Sequence, residues 1–194
     1  MDLKIIPEKT AITNGVSSSC KELVKDYTNG IVLDYGFGRL RNSIFIKENN
    51  IPLHILDTKA QIKENEDKIN SLSIEKVYES TDKLPSNSYS QILLSFVLNV
   101  VPSIDDRIYI LENINQALTK EGKLYVEVRN GAFIKNLKNK DIYNDGFVTG
   151  TINKKTFQKP YTANELSEFL SKNNFKVLKI KKTSGSIICI CSKK

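Results

Sequence analysis

Arginine is scarce in this chain: Arg39, Arg41, Arg107 and Arg129 are the only four among 29 basic residues. The formal charge of +7 could serve a nucleic-acid surface. It is carried mostly by lysine, with asparagine and isoleucine plentiful beside it, a composition that looks like AT-rich coding. General solvation is therefore the preferred reading of the charge, with nucleic acid kept as a possible partner. Cysteine is also sparse. Cys20, Cys189 and Cys191 are the three present, and the last two alternate along one strand, a poor geometry for a disulfide; a reduced, cytoplasmic protein is expected. One histidine and no C-x-x-C leave little for a structural metal. No apolar run approaches the roughly 18–20 residues of a membrane span, and Met1-Asp2-Leu3-Lys4 opens no basic-then-apolar signal segment, so no membrane partner is expected.

What the chain does have is Ile31-Val32-Leu33-Asp34-Tyr35-Gly36-Phe37-Gly38-Arg39-Leu40-Arg41. It reads as a short buried strand that ends in an acid and breaks into two glycines. Open α/β folds bind ligands at such a loop, on the carboxyl edge of a parallel sheet. Two Rossmann-like patterns compete for it. The dinucleotide fingerprint G-x-G-x-x-G needs a third glycine at position 41, for close helix–strand packing, and Arg41 stands there. The pattern acid-x-G-x-G-x-G of S-adenosylmethionine (SAM) enzymes fits Asp34, Gly36 and Gly38 and misses only its last glycine, replaced by Leu40.

At 194 residues the length suits one domain with a sizeable core. Residues 1–29 read as an N-terminal cap segment and helix, and 30–194 as a single domain. Apolar runs alternate with helical patterns, which argues for parallel βαβ units. A first helix is expected from Ser17 to about Tyr27, with Ser19 and Glu22 as a capping box and Asn29-Gly30 closing it. Strands are expected at Gly30–Asp34, Pro52–Asp57, Glu75–Glu79 and Gln91–Leu98, the last buried on both faces. Helices are expected from about Arg39 to Glu48 and, more loosely, over Gln61–Leu72. A helix capped by Ser103 and Asp106 carries Ile104, Ile108, Leu111, Ile114 and Leu118 on one face; Glu121-Gly122 ends it before a strand at Lys123–Arg129. Residues 130–160 show no period and read as an irregular insertion. Thr162 and Glu165 cap a last helix, and Phe175–Ile180 and Ile187–Cys191 form a terminal hairpin. The predicted fold is a Rossmann-like, doubly wound, seven-stranded and mostly parallel sheet with an antiparallel C-terminal hairpin strand.

Leu98-Asn99-Val100-Val101-Pro102, the capped helix after it and Leu118-Thr119-Lys120-Glu121-Gly122-Lys123-Leu124 resemble the region after strand four in class I SAM-dependent methyltransferases. So do Tyr161-Thr162-Ala163-Asn164-Glu165-Leu166 and Asn174-Phe175-Lys176-Val177. Within that family the chain is similar to the small methyltransferases associated with DNA phosphorothioation loci, which share a Thr-Ala-Ile segment (here Thr10-Ala11-Ile12) and the Leu-Asn-Val after strand four. The resemblance implies SAM as cofactor. Asp34, Gly36, Phe37 and Gly38 would then lie under its methionine part. Asp57 would accept hydrogen bonds from the ribose hydroxyls, a role for an acceptor-only group. Ser80 and Thr81 fall where the family recognises adenine, with serine in place of the usual acid. Ser95 to Asn99 would line the methyl end, with Asn99, Arg129 and Tyr161 as candidates on the acceptor side. His54 reads as an ordinary packed histidine.

Methyl transfer from a sulfonium is a direct displacement, so alignment can supply most of the acceleration and no catalytic residue need be assigned. Asn99-Val100-Val101-Pro102 is not the Asn/Asp-Pro-Pro-aromatic motif of exocyclic-amine DNA enzymes, and no Pro-Cys nucleophile exists. Base methylation is disfavoured and a small-molecule acceptor favoured. The alternative is a non-catalytic SAM-fold module that binds nucleic acid or a protein partner. Either a monomer or a homodimer is compatible with the sequence. The segments 7–19 and 130–160 are expected to be mobile and to close over the acceptor.

Overall fold

The computed structural model describes residues 5–10, 15–135, 137, 139–151 and 154–194. Ala11 and Ile12 of the Thr-Ala-Ile segment lie outside them. A 3-10 turn at Pro7–Thr10 precedes helix α1 (Ser18–Asp26), strand β1 (Val32–Tyr35), α2 (Arg41–Glu48) and β2 (Leu53–Asp57). Then come α3 (Lys59–Glu64), α4 (Glu66–Ser71), β3 (Lys76–Glu79), β4 (Tyr89–Ser95), α5 (Ile104–Ala117) and β5 (Leu118–Arg129). The chain continues through α6 (Gly131–Lys135), β6 (Asp141–Tyr143), β7 (Gly146–Thr151) and β8 (Lys154–Gln158), and ends in α7 (Ala163–Lys172), β9 (Phe175–Lys182) and β10 (Ser186–Lys193).

Seven strands form the main sheet in the order β3-β2-β1-β4-β5-β10-β9. Strands β1 to β5 run parallel, β10 lies antiparallel to β5, and β9 antiparallel to β10. The fold is the predicted one, with β1 beside β4 in the register Val32↔Gln91, Leu33↔Ile92 and Asp34↔Leu93. After β1 the chain winds outward through β2 and β3, then returns to β4 and β5. Strands β1 and β4 thus flank the switch point, whose carboxyl edge is open to a ligand. The alternating residues of β1 show why the sheet is covered on both faces. Val32 packs with Cys20, Leu23, Ile46, Ile55 and Leu93 under α1 and α2. Its neighbour Leu33 packs with Leu94, Leu111, Ile114, Leu166 and Leu170 under α5 and α7.

Several local expectations are corrected. The N-cap of α1 is Ser17, whose hydroxyl accepts from Cys20 N; Ser19 instead gives its backbone N–H to Glu127 Oε2 at 2.8 Å. On α5 the buried residues are Arg107, Leu111, Ile114 and Ala117, while Ile104 in the first turn is exposed. That helix stops at Ala117 and runs straight into β5. Gly122 therefore ends no helix: it sits where a Cβ would lie 3.0 Å from Tyr89 O, on the crowded neighbouring strand. The segment 130–160, expected to be irregular, holds α6 and the antiparallel sheet β6-β7-β8. Its strands are too short to show a period, although Asn144, in left-handed backbone at φ 48°, marks the β6–β7 turn.

All three cysteines are free and buried, and burial pushes their thiols up. His54 packs edge-on against Tyr89, with Nδ1 3.0 Å from its hydroxyl. Among the described residues, no helix is long and apolar enough to cross a membrane.

Candidate functional site

A cavity of about 590 Å³ opens at the carboxyl edge of the sheet over β1 and β4, within the range of small-molecule sites. Its floor is the loop after β1. Gly36 has φ +79°, and a Cβ there would lie 2.4 Å from Val97 Cγ2, so only glycine lets the loop after β4 approach. The Gly38 peptide is clamped at both ends. Its N–H donates to Asp57 Oδ2 at 2.8 Å, and its carbonyl accepts from Gln61 Nε2 at 2.7 Å and Asn65 Nδ2 at 3.2 Å. Leu40, standing where the pattern has its third glycine, adopts the left-handed conformation that glycine would take freely, at φ 63°. Its side chain is wholly buried with Ile46, Leu53 and Ile55. Packing holds the residue where backbone preference would not.

The cavity wall brings together Gly36, Phe37, Gly38, Asp57, Ser80, Ser95, Asn99 and Arg129 from the expected set. Asp34, Thr81 and Tyr161 are not on it. The Asp34 carboxylate is buried beneath the loop, accepting from Ser43 Oγ at 2.6 Å. Burial, with the nearby Asp57 charge, pushes its pKa up to about 6 against the opposing Ser43 hydrogen bond and Arg41 charge. Thr81 is exposed beyond β3. Asp57 accepts from Thr58 N through Oδ1 as well as from Gly38. The Tyr161 hydroxyl accepts from Arg107 Nη1 at 3.0 Å, and burial pushes its pKa up to about 12.

Ser95 and Asn99 line the cavity, and their buried side-chain oxygens Oγ and Oδ1 have no hydrogen-bond partner among the described residues. Buried polar atoms are rarely left so. Asn99 also ties the loop after β4 to the small sheet, with Nδ2 donating to Gln158 Oε1 at 3.1 Å and its carbonyl accepting from Lys159 N at 2.8 Å.

Two arrangements of side chains were not foreseen, although Arg129 and the Ser95–Asn99 segment that holds Phe96 were already candidates. One is an ionic anchor under β6-β7-β8. Arg107, 1% exposed, makes a bidentate pair with Asp145 at 2.7 and 2.8 Å, and Lys159 bridges Asp145 at 3.4 Å and Glu165 at 2.5 Å. An arginine at an inward position of α5 was the available signal. The other is a stack on the wall. Phe96, just past β4, has φ 60°, and carries the Arg129 guanidinium 4.3 Å and that of Arg41 5.5 Å from its ring centre. Arg129 lies at 4.3 Å from Phe133 as well.

No protein-family model matches the chain, and no curated protein matches it in sequence. Solved structures match its fold. A SAM-dependent methyltransferase from Clostridium acetobutylicum is 12% identical with a TM-score of 0.70, covering 100% of this chain and 92% of that one. The chain has the Rossmann-like methyltransferase fold. A Burkholderia thailandensis 1,6-didemethyltoxoflavin-N1-methyltransferase, with its substrate and S-adenosylhomocysteine (SAH) bound, is 13% identical over 91% of this chain and 79% of that one, with a TM-score of 0.67. The glycopeptide N-methyltransferase MtfA in complex with SAM is 8% identical over 94% and 89%, with a TM-score of 0.70.

Proposed function

We propose that the protein transfers a methyl group from SAM to a small-molecule acceptor by direct displacement. The observation that carries this reading is one cavity wall. It gathers the Gly36-Phe37-Gly38 loop, the Asp57 carboxylate at the end of β2, and Ser95 and Asn99 at and after the end of β4, each with a side-chain oxygen that has no partner among the described residues. These residues fit SAM in kind: a carboxylate for ribose hydroxyls, neutral oxygens for an ammonium and a close-packed glycine loop for the methionine part. Bound SAM would supply an electrophilic methyl on its sulfonium. The chain would hold the acceptor in line with it and exclude water. The roof formed by β6-β7-β8 and α6 supports a small acceptor, since Phe133, Thr149, Thr156 and Gln158 wall the same space. The likeness to methyltransferases with bound SAM or SAH supports the cofactor. The Leu98-Asn99-Val100 segment supports a kinship with phosphorothioation-locus enzymes.

Calorimetric titration with SAM, SAH and NAD tests the proposal. SAM and SAH are expected to bind at micromolar concentration, and NAD to give no heat. Binding of NAD alone, or of none of the three, would overturn it.

A further inference from the structure

The stack on Phe96 asks why two cations are brought together in a cavity wall. Phe96 is a bulky residue in left-handed backbone, a conformation that costs energy and is found chiefly where surrounding structure enforces it. It is enforced here by a 2.7 Å bond from Phe96 N to Glu127 O. The result is a ring at the cavity edge with Arg41 on α2 and Arg129 at the end of β5 both placed over it, and Phe133 beyond Arg129. All four residues line the cavity.

Among the described residues, carboxylates whose charge acts on these guanidiniums include Asp34 on Arg41 and Glu127 on both, and neither is on the wall. Asp34 accepts from Ser43, while Glu127 is buried and accepts from Ser19 N at 2.8 Å and Ser186 Oγ at 2.7 Å. These two anions therefore sit behind the wall, and Arg41 and Arg129 in it. Lys9 and Arg39 add further positive charge to the lining, against Asp57 and Asp106. Guanidiniums stacked on aromatic faces are well suited to planar oxyanions, which they meet edge-on through paired N–H donors.

We propose that the acceptor is a small acid whose oxyanion is bound by Arg129, with Arg41 beside it, at the Phe96 edge of the cavity. This rests on the reading of the cavity as a methyl-transfer site. Arg129 ends β5 next to Phe96 at the end of β4, on the far side of β1 from Asp57, which keeps an acceptor's acid apart from the ribose end.

The test uses the full chain saturated with SAH. Benzoate, phenyl phosphate and inorganic phosphate are titrated against benzamide and benzyl alcohol as neutral controls. At least one anion is expected to bind at low millimolar concentration or tighter, with the controls at least tenfold weaker. R129Q is expected to weaken that anion at least tenfold and R129K at least fivefold, while SAH affinity changes less than threefold. Absence of anion binding, equal binding of the neutral controls, or indifference to R129Q would overturn the inference alone. Failure of SAH to bind the unaltered protein would overturn the methyl-transfer reading and this inference with it. A third arm compares SAH with 5′-methylthioadenosine, which lacks the amino-acid part. If R129Q weakens SAH at least tenfold and spares 5′-methylthioadenosine, Arg129 holds the cofactor's own carboxylate and the inference falls.

Discussion

At the scale of single residues, three carboxylate and backbone positions carry distinct expectations. Asp57 both faces the cavity and anchors the Gly38 N–H. Asp57→Ala is expected to lower SAH affinity by about 1.5–3 kcal/mol, the usual loss for a charged hydrogen-bonding partner. Calorimetry beside urea unfolding checks that affinity falls more than stability. Asp34 predicts a pH effect. Its pKa rises from 3.8 to about 6 on folding, through burial first. Between those values the native state keeps a proton that the unfolded chain has released, so this contribution to stability is present below and lost as pH rises through the window. Asp34→Asn retains an acceptor for Ser43 without the charge. It is expected to exceed the unaltered protein in urea unfolding by a smaller margin at pH 4.5 than at pH 7.5. Leu40→Gly sets two terms against each other. It relieves a left-handed backbone worth roughly 1–2 kcal/mol but empties a fully buried site, a loss of about 2–5 kcal/mol even for alanine. A lower unfolding midpoint is expected.

At the scale of elements, the small sheet β6-β7-β8 buries Val148 and Phe157 and is anchored by charge as well. Arg107 reaches from α5 to Asp145 in the β6–β7 turn, and Lys159 links that turn to Glu165 on α7. Arg107 is the buried member of the pair and Asp145 is partly exposed, so truncating Arg107 cuts the tie from α5 to the turn while Asp145 keeps Lys159. Arg107→Ala is expected to speed amide hydrogen exchange in β6 and β7 at least tenfold while β1 and β4 stay protected. Equal acceleration in all four strands would show that the anchor serves the whole domain. The same region shows where sequence was informative. The inner strands β1, β2, β4 and β10 were legible because each is an apolar run bounded by turns, and the caps at Ser103 and Thr162 because they are local. The first cap was misplaced by two residues because Ser17, Ser18 and Ser19 offer three hydroxyls in a row, and long-range bonds to Asn42 and Glu127 decide among them. The small sheet was missed because its strands are short and the residues that anchor it, Arg107 and Lys159, are polar and lie outside them. In the cavity, Gly36 and Gly38 could be read from their spacing, and Asp57 and the Ser95–Asn99 segment from the resemblance to class I SAM-dependent methyltransferases. The stacking of Arg41 and Arg129 on Phe96 could not, since it depends on a backbone conformation that no residue type announces.

At the scale of the whole molecule, the positive charge divides by residue type. Most lysines are spread over the exterior, as on the exposed edge strand β9, where Lys179 and Lys181 pair with Glu22, with Lys159 buried in the anchor and Lys9 on the cavity lining as exceptions; charged edge strands of this kind oppose sheet-to-sheet association. The four arginines are elsewhere. Arg39, Arg41 and Arg129 line one cavity, and Arg107 locks its roof. Chemical labelling follows from that division. Phenylglyoxal, which modifies guanidinium groups and leaves most amines alone, should act on this protein almost as an affinity reagent. Peptide mass mapping is expected to find Arg39, Arg41 and Arg129 modified and Arg107, 1% exposed, spared. A molecule that fills the cavity should slow labelling at Arg129 while total lysine reactivity stays constant. The scarcity of one residue type thus turns occupancy of the cavity into a quantity that can be read from intact peptides, before any reaction has been observed.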